Sequence, residues 1–98
     1  MAREVVLTPT AKLDYYNVLD YLLFEWGDIA ADNFIDRFEK VILLLATDTS
    51  IFQYFDISQK IQKCVLTRHN VLYFRATDEQ VLVLMIFDTR QNPEKLNF

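Results

Sequence analysis

Apolar residues follow different spacings along the chain, and each spacing predicts a different kind of element. Residues 4–7 contain a short β-branched run, which predicts a first strand. From residue 11 to residue 46 the apolar positions recur every three or four residues, as on the buried face of an amphipathic helix. The predicted buried positions of two successive helices are Ala11, Tyr15, Val18, Leu19, Leu22 and Trp26, then Ala30, Phe34, Phe38, Val41, Ile42 and Leu45.

Local signals mark the ends of both predicted helices. Thr8 is a suitable N-cap for the first helix, and Pro9 fits its first position because an N–H there would have no partner. Gly27, the only glycine of the chain, predicts the end of this helix, since glycine adopts a positive φ without steric cost. Asp28 is then expected to cap the second helix, which should run to about Ala46. Such a short connection predicts an antiparallel helical hairpin.

The C-terminal half has the pattern of a three-stranded meander. Residues 47–59 show no clear period and predict a loop folded back on the core. Strands are predicted over residues 60–67, 71–76 and 81–87, with turns at residues 68–70 and 77–80. The last strand is an unbroken apolar run, which is typical of an interior strand covered on both faces. The sequence therefore predicts a single α+β domain over residues 1–98, with β-α-α-β-β-β order and the helical hairpin packed on a mostly antiparallel, curved four-stranded sheet.

Composition narrows the class of protein. A chain of 98 residues can bury one core, and a hydrophobic fraction of 52% excludes a disordered chain. Cys64 is the only cysteine, so no intrachain disulfide can form, and its place in a predicted strand favours a packed structural thiol. The sequence has no signal-peptide pattern and no run of the roughly 18–20 apolar residues that a membrane span needs. We expect a soluble, unprocessed protein of the reducing cytoplasm that makes no membrane contact.

Charge is distributed unevenly over the two halves of the chain. Residues 1–58 carry 4 basic and 10 acidic side chains, whereas residues 59–98 carry 6 basic and 4 acidic ones. The net charge of -4 repels nucleic-acid phosphate, which makes RNA or the ribosome a less favoured target. The single glycine excludes a glycine-rich phosphate loop, and the single histidine and cysteine provide neither a nucleophilic triad nor a recognisable metal site. No cofactor or metal is expected.

Both ends of the chain carry short motifs. Residues 5–11 (VVLTPTA) combine a strand with a Thr-Pro helix start and a small residue two positions later. Residues 88–93 (DTRQNP) place an arginine and a proline directly after the last strand. Together with the order of the elements, these motifs resemble the RelE/ParE superfamily of bacterial toxins from type II toxin-antitoxin systems. The resemblance covers nearly the whole chain.

The resemblance implies chemistry for some members of this superfamily. In its RNA-cleaving members, lysine and arginine side chains on the sheet stabilise the charge of the phosphate, and an acid/base residue acts on the 2′-OH without a metal. Arg90 matches the arginine after the last strand, and Lys63 falls near a lysine of the second strand. Asn70 replaces the arginine that opens the third strand in ribosome-dependent members, and Leu96 stands near their C-terminal tyrosine. No catalytic residue is therefore assigned, and the candidates are Arg90, Lys63, Arg68, His69 and Arg75.

The resemblance to this superfamily is compatible with three functional hypotheses. Asn70 and Leu96 stand at or near the positions where RNA-cleaving members have an arginine and a tyrosine, and the net charge is negative. Both features favour the ParE branch, which is associated with inhibition of DNA gyrase by protein–protein contact. The leading hypothesis is a toxin that a cognate antitoxin neutralises and that binds a target such as DNA gyrase. The alternatives are a metal-independent mRNA endonuclease, ribosome-dependent or free, and a degenerate, non-toxic interaction module. A homodimer is compatible with all three.

Partner contacts are expected on the first helix and at the exit of the last strand. The aromatic positions off the predicted buried face of this helix are Tyr16, Tyr21 and Phe24. There the resemblance implies anchoring sites for the antitoxin, although the same side chains would also fit a second flank of the core beneath the predicted loop. Arg90 is the fourth candidate, and its structural alternative is a surface ion pair with Asp88 or Glu94.

Overall fold

A computed structural model describes residues 2–98 of the protein. Within this part of the chain the strands are β1 (Glu4–Leu7), β2 (Tyr54–Asp56), β3 (Ile61–Thr67), β4 (Asn70–Ala76) and β5 (Gln80–Asp88). The helices are α1 (Pro9–Glu25), α2 (Asp28–Thr47) and a 3₁₀ turn (Pro93–Lys95). One sheet contains the strands in the order β1-β5-β4-β3-β2, with β1 parallel to β5 and every other pair antiparallel. The predicted α+β class is confirmed, but the sheet has five strands and not four.

The additional strand lies in the segment that was predicted to be a loop. Residues 54–56 pair with β3 at one edge of the sheet, with a register shift between Tyr54 and Asp56. A three-residue strand with a shifted register has no detectable alternation, and so the prediction of a loop throughout residues 47–59 was wrong for residues 54–56. The segment before β2 is held by the buried side chain of Gln62, whose Nε2 donates to the carbonyl oxygens of Thr49 at 2.7 Å and Phe52 at 3.1 Å.

The helix ends follow the local signals with one exception. The Thr8 hydroxyl accepts the N–H of Ala11 at 3.1 Å, which confirms the predicted N-cap. Gly27 has a φ of 90° and its N–H donates to the carbonyl of Leu22 at 2.9 Å, as expected for the residue that ends α1. Asp28 was wrongly predicted as the N-cap of α2: Gly27 occupies that position and Asp28 begins the helix. One glycine therefore serves both helix ends.

The main core lies between the helical hairpin and one face of the sheet. α1 packs mainly on β5, and α2 mainly on β3. The central side chains of this core are Phe34, Phe38, Val41, Leu45, Cys64, Leu66, Leu72, Phe74, Val81, Val83 and Ile86. Cys64 is a buried free cysteine, as predicted, and burial raises the pKa of its thiol. No helix formed by residues 2–98 combines the length and hydrophobicity that crossing a bilayer requires.

Trp26 is the helical position that lies outside the predicted buried face. It is 71% exposed because it is the C-cap of α1, where the backbone leaves the helical path and the side chain no longer follows the buried stripe. In α2 the predicted stripe is confirmed, since Ala30 and Ile42 are half-buried and the other four predicted positions are buried: Phe34, Phe38, Val41 and Leu45. Ala31 is a further buried residue of this helix.

β5 lies between β1 and β4, which confirms the predicted interior position. A register shift occurs on its boundary with β4, where Tyr73 pairs with Met85 but Phe74 pairs with Val83. This bulge lets Ile86 face the helices together with Val83, although the two are three residues apart. On the opposite face a second cluster forms around Ile61, Tyr73 and Phe87, with Leu96 packed against it. β5 is therefore covered on both faces.

Candidate functional site

A cleft of about 730 Å³ opens between the helical hairpin and the end of β5. α1 and the start of α2 form one wall, and the β3–β4 turn, the end of β5 and the segment after it form the other. The residues that line it include Asp14, Tyr21, His69, Asp88 and Arg90. The predicted exit arginine of the last strand thus lies in the cleft beside the helices.

Arg90 forms a two-point ion pair with Asp88. Its Nε donates to Oδ1 of Asp88 at 3.0 Å and its Nη2 donates to Oδ2 at 2.8 Å, while the backbone N–H of Arg90 also donates to Oδ1 at 2.9 Å. The side-chain hydrogen bond from Arg90 lowers the pKa of Asp88, and the same contact raises the pKa of Arg90. Of the two acidic partners considered from the sequence, the structure thus selects Asp88. The charge of Arg90 is largely balanced within the site.

Tyr21 places an aromatic ring beneath this ion pair. The guanidinium carbon of Arg90 lies 5.4 Å from the centroid of the Tyr21 ring, in the range of a cation–π contact. The contact joins α1 to the segment after β5, so two of the four partner-binding candidates come together. The other two do not: Tyr16 lines a separate groove beside β1, and Phe24 projects from the end of α1. All three aromatic candidates are exposed, so they do not fill a second flank of the core.

His69 lines the same cleft from the β3–β4 turn. Its carbonyl oxygen accepts the N–H of Thr89 at 2.9 Å, and its own N–H donates to the hydroxyl of Thr67 at 3.3 Å. Its charge also contributes to the lowered pKa of Asp88, after the larger effect of Arg90. Two of the five candidates for RNA chemistry, His69 and Arg90, are therefore close to each other.

The other three candidates for RNA chemistry lie elsewhere. Side chains alternate along a strand, and Cys64 faces the helices, so Lys63 points to the opposite face of the sheet. Arg75 lies on that face as well, where its Nε donates to the carbonyl oxygen of Gln59 at 2.9 Å. Arg68 is exposed in the β3–β4 turn and does not line the cleft. In residues 2–98, no three His, Cys, Asp or Glu side chains are close enough to hold a metal ion.

The sheet face opposite the helices carries an aromatic cluster that was not predicted. Phe55, Tyr73 and Phe98 contact one another with ring centroids 4.9–5.8 Å apart. Burial raises the pKa of the Tyr73 hydroxyl, and Tyr73 pairs with Lys63 across the strands. The C-terminal residue therefore covers part of the surface that Lys63 and Arg75 share. The three aromatic residues are far apart in sequence and follow no common period, so no local pattern could have identified the cluster.

Asp14 connects α1 to the backbone of β5. Its carboxylate is half-buried in the cleft and accepts the N–H of Ile86 at 3.0 Å. The Thr8 hydroxyl donates to the carbonyl oxygen of Leu84 at 2.9 Å. These two contacts satisfy backbone groups of β5 beyond Val83, where pairing with β1 has ended and α1 lies beside the strand. Because Asp14 and Ile86 are far apart in the sequence, no local pattern identified this contact.

We expect the Asp14→Asn variant to gain stability over the native protein as the pH rises from about 4 to about 7. Burial raises the pKa of Asp14 above its ordinary value of 3.8, and the hydrogen bond from Ile86 opposes this only in part. The native carboxyl group therefore contributes stability below pH 3.8 and loses this contribution as the pH rises through its folded pKa. Asparagine keeps an acceptor for Ile86 and does not titrate. Urea unfolding at both pH values measures the difference.

An Asp14→Leu variant provides the contrast. It removes the acceptor altogether and leaves the N–H of Ile86 unpaired, which should cost about 1–3 kcal/mol at either pH. Two results would contradict the role of Asp14 as a half-buried acceptor for the N–H of Ile86. One is equal stability of the native protein and Asp14→Asn at both pH values, and the other is an Asp14→Leu variant as stable as the native protein.

Comparison with known proteins identifies the fold. A chain of the chromosomal ParDE toxin-antitoxin system from P. aeruginosa matches with a TM-score of 0.73 and 15% identity, over 89% of this chain and 96% of that one. A chain of the E. coli DinJ–YafQ toxin-antitoxin complex matches with a TM-score of 0.58 and 8% identity, over 92% and 96%. Protein HP0894 of Helicobacter pylori matches with a TM-score of 0.59 and 14% identity, over 93% and 98%. A comparison with curated protein sequences finds no match.

The identities of these structural relatives are too low to support more than a shared fold. A family model described as the ParE toxin of the parDE type II toxin-antitoxin system, however, matches residues 5–93. The match extends from the first strand to the proline after the last one, and it confirms the resemblance drawn from the motifs at the two ends. The chain belongs to the ParE toxin family of type II toxin-antitoxin systems.

Proposed function

We propose that this ParE-family toxin is neutralised by a cognate antitoxin and acts by binding a protein target, DNA gyrase, and not by cleaving RNA. One observation carries the proposal: the cationic side chains that RNA cleavage requires are spread over separate surfaces. Arg90 lies in the cleft, whereas Lys63 and Arg75 lie on the opposite face of the sheet.

Negative charge builds up on the phosphate oxygens while RNA is cleaved, and several hydrogen-bond donors must converge on these oxygens to stabilise it. In the cleft, two nitrogens of the Arg90 guanidinium are already directed at the carboxylate of Asp88. A phosphate would have to displace this carboxylate, in a protein whose net charge is -4. The arrangement supports recognition of a protein surface over hydrolysis of RNA.

The cleft also has the composition of a protein-binding site. Tyrosine and arginine are enriched among the residues that dominate binding energy at interfaces. Here Tyr21 and Arg90 are stacked in advance, so little side-chain freedom is left to be lost on binding. The ParDE and DinJ–YafQ structures come from toxin-antitoxin systems, which supports an antitoxin as one partner.

Addition of the purified protein to a DNA supercoiling reaction is expected to inhibit gyrase. Arg90→Ala should raise the concentration needed for half inhibition about tenfold or more, because truncation of a central arginine typically costs over 1 kcal/mol of binding energy. Arg75→Ala is the matched control, since Arg75 lies outside the cleft and should leave inhibition unchanged.

Two results would contradict the proposal. The endonuclease alternative would be established if the native protein produced new mRNA ends in a purified translation reaction and Arg90→Ala did not. Normal growth of cells that express the protein without an antitoxin would instead establish the non-toxic interaction module.

A further inference from the structure

The end of the helical hairpin, residues 20–32, is rich in exposed apolar side chains. We call this segment the hairpin tip. Phe24 is 87% exposed, Trp26 71% and Ile29 77%, and Leu23 is exposed beside them. Scattered exposed hydrophobic residues are normal, but four within residues 23–29 indicate a surface that another molecule covers. Phe24 was already a partner-binding candidate, whereas Trp26 and Ile29 were not, because the group spans the end of α1 and the start of α2.

The hairpin tip is also uniformly acidic. It contains Asp20, Glu25, Asp28 and Asp32 and no lysine or arginine. Within residues 2–98, the ion pair between Arg90 and Asp88 is the one found within 4.0 Å, so none of the four acids is paired in this way. The nearest cation along the chain, Arg37, donates instead to the carbonyl oxygens of Leu66 and Val65 on the sheet, at 3.0 and 3.1 Å. The negative charge of the tip is therefore not balanced by an ion pair.

We infer that the hairpin tip is the docking site for a basic, amphipathic segment of a partner protein. Apolar side chains of that segment would cover Phe24, Trp26 and Ile29, and its lysine and arginine side chains would meet the surrounding acids. Trp26 also lines the cleft that contains Tyr21 and Arg90, so the tip continues the proposed interface. The inference rests on the proposed function in one respect: the antitoxin is the protein expected to carry the segment.

Charge distinguishes this occupant from others. A second copy of the chain would bring the same four acids to the same surface, and like charges facing each other oppose association. An anionic membrane surface is disfavoured for the same reason. A polypeptide with a hydrophobic stripe flanked by lysine and arginine matches both the apolar group and its acidic surroundings.

Trp26 makes the surface directly observable, because it is the only tryptophan of the chain and is exposed at the tip. The probe is a designed helical peptide of about four turns, with leucine on one face and lysine on the other. Its twin has glutamate in place of every lysine. The lysine peptide should shift the Trp26 emission to shorter wavelength in a saturable manner and bind more weakly as salt is added. The glutamate peptide should produce no shift.

Matched variants separate this site from non-specific attraction. Ile29→Ser should weaken binding of the lysine peptide about tenfold or more, since it removes an apolar anchor. Ile57→Ser is the control, because Ile57 is equally exposed, 78% against 77%, but lies between β2 and β3. The double variant Asp28→Asn, Asp32→Asn should weaken binding and reduce its salt dependence, whereas the single variant Asp78→Asn, in the β4–β5 turn, should change neither.

The inference is overturned if the two peptides bind equally, or if Ile29→Ser and Ile57→Ser behave alike. If analytical ultracentrifugation shows a dimer of the native protein and Ile29→Ser abolishes it, the surface is assigned to a second copy of the chain. A Trp26 shift with anionic lipid vesicles that matches the one produced by the lysine peptide would assign it to a membrane. If the native protein inhibits gyrase but does not bind the lysine peptide, only this inference is rejected. If it binds the lysine peptide but does not arrest growth, only the proposed function is rejected.

Discussion

Replacement of Phe74 by alanine is expected to lower the free energy of unfolding by about 3–5 kcal/mol. Phe74 is fully buried on β4, the middle strand, and its ring meets the edge of Phe52 with centroids 5.7 Å apart. Alanine would leave a cavity between the sheet and the helical hairpin. Because both layers are held by other contacts, the surrounding side chains can fill this cavity only in part. The loss is a large part of the total stability of a domain of this size. Urea unfolding followed by circular dichroism measures it.

Val65→Ala is the matched control for this experiment. Val65 also lies in the antiparallel part of the sheet, but its side chain is exposed. Its truncation should cost less than about 1 kcal/mol, since little packing is lost. Comparable losses in the two variants would contradict the central position assigned to Phe74.

Gln62→Leu is expected to destabilise the protein by about 1–3 kcal/mol. The Gln62 amide is buried and donates to two carbonyl oxygens, those of Thr49 and Phe52. Leucine fills a similar space but donates nothing, so the carbonyl oxygen of Phe52 loses this donor and that of Thr49 keeps only the backbone N–H of Phe52 at 3.3 Å. The segment that leads into β2 should loosen first, and faster amide hydrogen exchange in residues 49–56 would report this before global unfolding.

The control for this substitution is Gln53→Leu. Gln53 belongs to the same segment and is exposed, and its backbone carbonyl oxygen still accepts the N–H of Lys63 in the variant. Its stability and exchange rates should remain close to those of the native protein. A Gln62→Leu variant with native stability would show that water replaces the lost donor.

Features that depend on adjacent residues could be predicted from the sequence. The start of α1 at Thr8 and its end at Gly27 follow from capping chemistry that involves one turn of helix. The pairing of Arg90 with Asp88 is local as well, since only one residue separates them. These features were accessible because the interacting groups are close along the chain whatever the tertiary structure.

Features that depend on distant residues could not be predicted in the same way. Tyr21 and Arg90 meet only because α1 packs on β5, and Asp14 meets Ile86 only because α1 lies beside the part of β5 that extends beyond β1. Trp26 fits the helical period of the preceding residues, yet the helix ends just before it and its side chain remains outside. In each case the decisive element is the geometry of a second segment, which a single sequence does not reveal.

The parallel pairing of β1 with β5 joins two segments that are far apart in the sequence. Residues 4–7 pair with residues 80–83, and β1 is an edge strand of the sheet that residues 2–98 form. A nascent chain that has been synthesised only as far as residue 79 contains the helical hairpin but lacks the strand on which β1 and α1 pack. Pairing between such distant segments is also a slow step in folding. The toxin fold is thus completed only after β5 has been synthesised, and a chain interrupted before β5 cannot assemble the cleft.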